Sequence, residues 1–277
     1  MRLAVVGDVH ERWDEQDSAL LDAQGYDGVL FVGDLANYTV KGGLATARRI
    51  ATLKTPAWLI PGNHDAVDQG QLAAEVVPAL GFLRGLLDGG MAERVAALRE
   101  ALAPVVLVGY ELHDLGGLCL LATRPHSAGG PRVTYPRYMQ ETFGVADMDD
   151  SARRLCGLVD QATAPLVVLG HNGPAGLGEA PSSICGRDFG RGGGDWGDPD
   201  LRAALDHAHA TGKPVRAVVF GHMHRALRGG GRRQWTVRRE GCLFVNAAQV
   251  PRRRKGKGRH HVLLEVGVEA SAKDVWL

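Results

Sequence analysis

The chain has little of what marks several protein classes. It carries four cysteines in 277 residues, Cys119, Cys156, Cys185 and Cys242. No two form a C-x-x-C pair, so reduced, buried thiols in an intracellular setting are expected rather than a disulfide framework. No apolar run approaches the ~20 residues that a spanning helix needs. Neither sign of charge dominates: 32 Lys and Arg stand against 31 Asp and Glu, with a pI near 7.8. The overall charge therefore singles out no nucleic-acid or membrane partner. No internal repeat and no convincing linker divides the sequence, so a single domain over residues 1–277 is expected. The first strand begins at Arg2 and leaves no room for a leader peptide, which gives a soluble, cytoplasmic protein as the expectation.

What is present is a core. A hydrophobic content of 45% with five Trp is ample for one. Leu3-Ala4-Val5-Val6, Val29-Leu30-Phe31-Val32 and Trp58-Leu59-Ile60 read as buried strands, separated by helical patterns over Asp14–Gln24 and Gly42–Leu53. This β-α-β-α-β order predicts parallel strands with right-handed crossovers. Residues 66–104 break the pattern with two helical stretches, Gln71–Leu87 and Met91–Leu102, read as an insertion beside the site or as plain helical packing. Val105–Val108 and Leu118–Leu121 flank a turn at Asp114–Gly117 and read as an antiparallel pair in a second sheet. Further helices are expected over Asp149–Ala162 and from Pro199 to about Ala210, the latter with Asp198 as its cap. Val215–Phe220, Leu243–Val245 and Val262–Val266 complete the strands. Between them, the glycine-rich stretch Gly173–Gly197 reads as a long functional loop.

Five short motifs follow strand-like runs in a fixed order: Gly7-Asp8-Val9-His10, Gly33-Asp34-Leu35, Gly62-Asn63-His64-Asp65, Gly170-His171-Asn172 and Gly221-His222-Met223-His224. In open α/β sheets, ligands bind beyond the carboxyl ends of the strands, which is where these groups fall. Carboxylates, imidazoles and an amide together suit Mn, Fe or Zn better than Ca or Mg. Seven such groups, Asp8, His10, Asp34, Asn63, His171, His222 and His224, suffice for two ions side by side. Two adjacent metals generate a nucleophile at neutral pH and clamp a phosphoryl group. His64 adjoins a presumed ligand, and histidine is a residue type suited to general-acid work.

The ordered set resembles the calcineurin-like metallophosphoesterase superfamily, whose pattern is D-x-H, G-D-x, G-N-H-[DE], a lone His, then G-H-x-H. Every part is present from Asp8 to His224. The resemblance implies an α/β fold of two mixed β-sheets packed as a sandwich with helices on the outer faces. It implies that Asp8, His10, Asp34 and His224 hold one divalent ion and that Asp34, Asn63, His171 and His222 hold the other. A hydroxide bridging the ions would attack phosphorus in line. His64 would protonate the leaving oxygen, with Asp65 orienting it. The implied substrate is a phosphomonoester or phosphodiester of a small molecule or nucleotide.

Departures narrow the branch. The protein phosphatases of this superfamily carry Asp-Arg-Gly after the second motif and Glu after the catalytic His. This chain has Leu35-Ala36-Asn37-Tyr38 and Asp65. Many cyclic-nucleotide phosphodiesterases have His-His before a proline at the fourth motif, where this chain has His171-Asn172-Gly173-Pro174. Substrate contacts are expected from Arg124, His126, Asn172 and Arg187, with Arg191 beside the last. The run Arg252–Arg259 is the densest basic cluster, but no aromatic residue is interleaved for base stacking. A solvated loop is its expected role, with a nuclease as the alternative. A non-catalytic metal-binding scaffold is a second alternative. His113, His207, His209, His260 and His261 read as ordinary surface residues.

Overall fold

The computed structural model describes residues 1–76, 78–83, 89–189 and 193–277. Two mixed sheets form its centre. In the first, β1 (Arg2–Val6), β2 (Gly28–Phe31), β3 (Ala57–Leu59) and β4 (Val106–Leu107) lie parallel, each beside the next. In the second, β5 (Glu111–Asp114) runs antiparallel to β6 (Cys119–Ala122), which leads into parallel β7 (Leu166–Leu169), β8 (Val215–Phe220) and β10 (Cys242–Asn246); β9 (Thr236–Arg239) closes that edge. The first sheet is completed by β12 (Gly258–Val266), antiparallel to β1, with β11 (Arg253–Arg254) and β13 (Ala270–Trp276) along its far side.

The alternation of side chains along each strand assigns two apolar layers. Leu3, Val5, Leu30 and Val32 share one layer with Leu120, Val167, Leu169 and Val219 of the other sheet. Ala4, Val6, Val29 and Phe31 point the opposite way and cluster with Trp13, Leu21 and Ile50. Burial on both faces is why these strands read as unbroken apolar runs.

The helices are α1 (Glu15–Asp22), α2 (Val40–Ile50), α3 (Gln69–Val76), α4 (Met91–Leu102), α5 (Pro136–Phe143), α6 (Met148–Gln161) and α7 (Pro199–Ala210). Asp14 caps α1 by accepting from the Gln16 and Asp17 backbone, and Asp17 returns a bond to the Asp14 N–H. In the 66–104 region, α4 packs against α2, so this helix joins the body of the fold. The expected Gln71–Leu87 stretch divides into α3 and a 3-10 turn at Pro78–Leu83; its remaining residues, 77 and 84–87, lie outside those described.

Two expectations are corrected. Val106–Leu107 does not pair with the strand at Cys119; it extends the first sheet beside β3, and the half-exposed Glu111–Asp114 is the true hairpin partner. His260 and His261 are not surface residues: both are 1% exposed, His260 Nε2 lying 2.8 Å from Asp274 Oδ1 and His261 Nε2 2.7 Å from the Tyr26 hydroxyl.

Candidate metal centre and cleft

The carboxyl ends of β1, β2 and β3 in one sheet and of β7 and β8 in the other meet at one edge of the sandwich. Two groups of converging donors result. Asp8, His10 and His224 form one, Asp34, His171 and His222 the other, and within each group the donor atoms lie within 4.8 Å of one another. The Asp34 carboxylate lies between them: Oδ1 is 3.5 Å from His171 Nε2 and Oδ2 is 4.0 Å from His10 Nε2. Asn63 Oδ1 joins the second group, 3.1 Å from His171 Nε2. In the first, His10 Nε2 is 3.2 Å from His224 Nε2.

The backbone is bent to bring these atoms together. His10, Asp34 and His222 have φ of 45°, 52° and 61°, the left-handed region that side chains with a Cβ rarely adopt. Such strain persists where the surroundings over-determine it, typically at functional sites. Gly221 shows the closeness of the packing: a Cβ there would stand 2.2 Å from Asp8 Oδ1.

The donors fit divalent cations by three observations. Asp8 Oδ2 is buried without a hydrogen bond, 3.2 Å from His224 Nε2 and open to a further partner. His10 Nδ1 lies 3.1 Å from the Ala36 carbonyl and His171 Nδ1 contacts the Val32 carbonyl. Each imidazole so held donates from Nδ1 and presents Nε2 to its group, the usual way a protein orients a ligating histidine. Third, Asp34, Asp8 and His222 are held in charge states that suit ligation. Burial works to lower the pKa of His171, but Asp34 and Asp8 outweigh it and raise it; burial works likewise on His224, and Asp8 outweighs it, so an ion binding there competes with protonation of these two rings. Burial works to raise the Asp34 pKa, but His171, His64, His10 and His222 outweigh it and hold the carboxyl far below its ordinary range. Burial also works to raise Asp8, and His224 outweighs it, so that this carboxyl too is lowered. Burial, then repulsion from His171, pushes His222 down to about 3, so its ring is neutral. Ligation requires ionised carboxylates and neutral imidazoles.

His64 stands beside the first group, its ring centroid 5.6 Å from that of His10. Its Nδ1 donates to the Asn37 carbonyl, and its backbone N–H donates to Asp34 Oδ1 at 3.0 Å. Asp65 therefore does not orient the ring directly. Its carboxylate accepts from three backbone N–H groups, those of Leu35 (2.8 Å), Ala36 (3.2 Å) and Gly62 (2.9 Å). It ties the β2 exit loop to the β3 exit loop.

A cleft of about 970 Å³ opens over these groups, bounded by Tyr38, Arg132, Arg187, Phe189, Trp196 and Arg228 among others. Of the expected substrate contacts, Arg187 lines it. The others are turned inward. Arg124, 1% exposed, is locked between Asp200 (2.7 Å) and Asp198 (3.1 Å). His126 sits under the site with Nδ1 3.1 Å from the Gly62 carbonyl, and burial lowers its pKa to about 4. Asn172 donates to the Trp196 carbonyl (2.9 Å) and Asp198 (3.2 Å). Arg191 lies outside the described residues.

The basic run is used within the chain. Arg252 is 3% exposed, bonded to Asp17 at 2.6 Å and stacked on Trp13; Arg253 and Arg259 pair with Asp14 at 2.9 and 3.0 Å; Arg254 and Lys257 lie over Trp276. Sequence reasoning missed Arg12, Arg132, Arg228 and Trp196, which line the cleft from separate loops, and Glu75, which lines it from α3. No motif links them. The aromatic and arginine content of the Gly173–Gly197 loop was the one signal that pointed toward Trp196.

Two sandwiched sheets with clustered carboxylates and imidazoles at the strand ends define a class, the metallophosphoesterase-like hydrolases. The chain belongs to the calcineurin-like phosphoesterase family, whose profile matches residues 1–226. It is accordingly a hydrolase of phosphate esters, in a family that uses divalent metal ions. The fold is similar to that of TT1561 from Thermus thermophilus (13% identity, TM-score 0.56, 99% of this chain and 98% of that one). It is similar also to a dimetal phosphatase from Danio rerio (10%, TM-score 0.51, 98% of each chain). A Staphylococcus aureus protein assigned as a 5′-nucleotidase is matched over 99% of this chain and 53% of its own (12%, TM-score 0.51). No curated protein matches the sequence. Among the described residues, no helix is long and apolar enough to cross a membrane.

Proposed function

We propose that the chain is a dinuclear metal-dependent phosphoesterase acting on a small phosphorylated molecule or nucleotide. The observation that carries this reading is the placement of Asp34, with one carboxylate oxygen toward His171 and the other toward His10. Asp8, His10, Asp34 and His224 would hold one ion, and Asp34, Asn63, His171 and His222 the other. Mn, Fe and Zn all suit this mixed donor set. Bound there, such ions supply Lewis-acid polarisation of phosphoryl oxygens and lower the pKa of water.

The chain's own residues do the rest. His64, held through Nδ1 by the Asn37 carbonyl, carries its Nε2 proton to the leaving oxygen. Asp65 keeps the two ligand-bearing loops together. The helical region 66–104 contributes Glu75 to the cleft wall, while α4 serves the packing of a single domain. The nuclease alternative has less support, because Arg252, Arg253 and Arg259 of the basic run are paired to Asp14 and Asp17.

The test is hydrolysis of bis-p-nitrophenyl phosphate and p-nitrophenyl phosphate by chelated protein, with and without added Mn. Metal-dependent turnover of either supports the reading and separates diesterase from monoesterase. A protein that binds two metals and hydrolyses neither these nor a panel of nucleotides would be a scaffold.

A further inference from the structure

The turn that carries Asn63 and His64 is gripped by one neighbouring segment. Three consecutive carbonyls of the turn accept from it: Pro61 from the His126 N–H at 2.7 Å, Gly62 from His126 Nδ1 at 3.1 Å, and Asn63 from the Tyr135 hydroxyl at 2.6 Å. His126 and Tyr135 are fully buried, and both have a left-handed backbone, with φ of 58° and 51°. The Thr134 hydroxyl donates to the His126 carbonyl and closes the segment between them. Two strained residues thus stand at the two ends of one grip, where the surroundings over-determine their conformation.

The grip reaches the proposed ligands through single peptide units. The Asn63–His64 peptide is held at both ends: its carbonyl accepts from Tyr135, and its N–H donates to Asp34 Oδ1 at 3.0 Å. The Pro61–Gly62 peptide is held likewise, by the His126 N–H and by Asp65 Oδ2 at 2.9 Å. A planar peptide bonded at both ends cannot rotate without straining two hydrogen bonds, and each bond polarises the other. The Gly62 carbonyl takes a further bond from the Asp65 N–H at 3.1 Å, so the His126 ring shares its task. The two sides of the grip come from different sheets. Asn63 follows β3 of the first, whereas His126 and Tyr135 follow β6 of the second, the neighbour of the β7 strand that leads to His171. Asn63 Oδ1 and His171 Nε2, 3.1 Å apart, therefore meet across the two sheets, and Tyr135 fixes the span.

We propose that Tyr135, aided by His126, is a positioning residue for the second metal site: it sets Asn63 and Asp34 through the Asn63–His64 peptide and itself ligates nothing. Losing a partner that holds a ligating group typically costs 10–100-fold in metal affinity. The proposal rests on the dinuclear reading for the identity of the ligands, and its test separates the two.

Zn dissociation constants are measured on chelated protein by competition with a chromogenic chelator, a readout that needs no turnover. Wild type should hold two ions. In Tyr135→Phe the ion bound through Asn63, identified as the one that Asn63→Ala loses, should be held about 10–100-fold more weakly, and the other ion less affected. Tyr110→Phe is the control. It too removes a buried tyrosine hydroxyl, one 2.6 Å from Ser151 Oγ, and should cost stability without moving either constant. At position 126, asparagine offers an amide N–H near the place of Nδ1 and tolerates a left-handed backbone. His126→Asn should therefore keep both ions, while His126→Ala weakens the second by a smaller factor than Tyr135→Phe. Melting temperatures show which variants fold, and the His126 pair carries the test where Tyr135→Phe does not. Unchanged constants in folded Tyr135→Phe (failing that, in His126→Ala), or equal weakening in Tyr110→Phe, overturn the positioning role and leave the dinuclear reading standing. Fewer than two ions in wild type overturn that reading and the proposal with it.

Discussion

His64 Nδ1 donates to the carbonyl of Asn37, not to the carboxylate of Asp65. The two neighbours in the Gly62–Asp65 motif therefore separate by experiment. His64→Ala leaves the seven presumed ligands in place; two metals should remain by elemental analysis, while kcat falls about 10²–10⁴-fold for esters with poor leaving groups. The loss should shrink with p-nitrophenolate, which needs little protonation. An undiminished rate on alkyl phosphates would remove the general-acid role. Asp65→Asn should act on stability instead. It replaces an oxygen that accepts backbone N–H groups by a donor, and leaving buried donors unpaired costs about 1–3 kcal/mol. Urea unfolding would show that drop before any change in leaving-group dependence.

Asp34 is the group shared between the two donor sets. Asp34→Asn should bind less than one metal per chain and lose turnover. His222→Ala should also abolish turnover and at minimum empty the second site. Metal content per chain after dialysis, measured beside activity, decides this. Two metals retained in Asp34→Asn would show that the carboxylate does not bridge.

Glycine substitutions give a pair with opposite signs. At Gly221 a Cβ would stand 2.2 Å from Asp8 Oδ1 and 2.6 Å from Val32 Cγ2. Gly221→Ala should displace Asp8 and reduce metal content, even if the protein folds. Gly157 lies within α6 with nothing within 4 Å of its would-be Cβ. Gly157→Ala should stabilise the protein by about 0.5–1 kcal/mol, because alanine loses less backbone freedom in a helix. Thermal melts and metal analysis of the two variants side by side test both.

Much of this site is legible in the sequence because its ligands follow doubly buried strands. Leu3–Val6, Val29–Val32, Leu166–Leu169 and Val215–Phe220 announce themselves as apolar runs, and the residues just past them fall at the sheet ends. Strands exposed on one side are harder to see. Glu111–Asp114, Thr236–Arg239 and Ala270–Trp276 are polar or mixed, and their pairing depends on neighbours distant in the chain. That is why Val106–Leu107 reads as the partner of Cys119 although it joins β3. The eight-residue α5 begins after Tyr135 in a left-handed conformation with no side-chain cap, so Pro136 at its first position is the start signal it offers. Arg124 reads as a substrate contact because a guanidinium just past a strand can grip phosphate bidentately, and burial of Arg or Asn is uncommon enough that the sequence does not announce it. Asp198 and Asp200, some seventy residues further along, bury Arg124, and Asp198 and the Trp196 carbonyl hold Asn172.

Acid stability should depend on Asp274, where β13 meets β12. Burial raises this carboxyl's pKa, but the His260 hydrogen bond and Arg225 outweigh it and bring it down to about 2, from 3.8. A carboxyl held lower in the folded than in the unfolded chain contributes stability that is complete above the unfolded value and lost as pH falls through the folded one. Its window here is therefore about pH 4 down to about 2. His260 acts earlier: burial lowers its pKa below 6.5, so protonation opposes folding as the pH drops beneath that value. Asp274→Asn removes the first effect and deepens the second, because the Asp274 carboxylate is what raises the His260 pKa against burial. The variant should be less stable than wild type at pH 6 and approach it near pH 2, since the wild type alone loses the ionised carboxylate. Urea midpoints at pH 6, 4 and 2.5 test this. A constant gap between the two proteins across that range would mean that Asp274 contributes through packing or neutral hydrogen bonds and not through its charge.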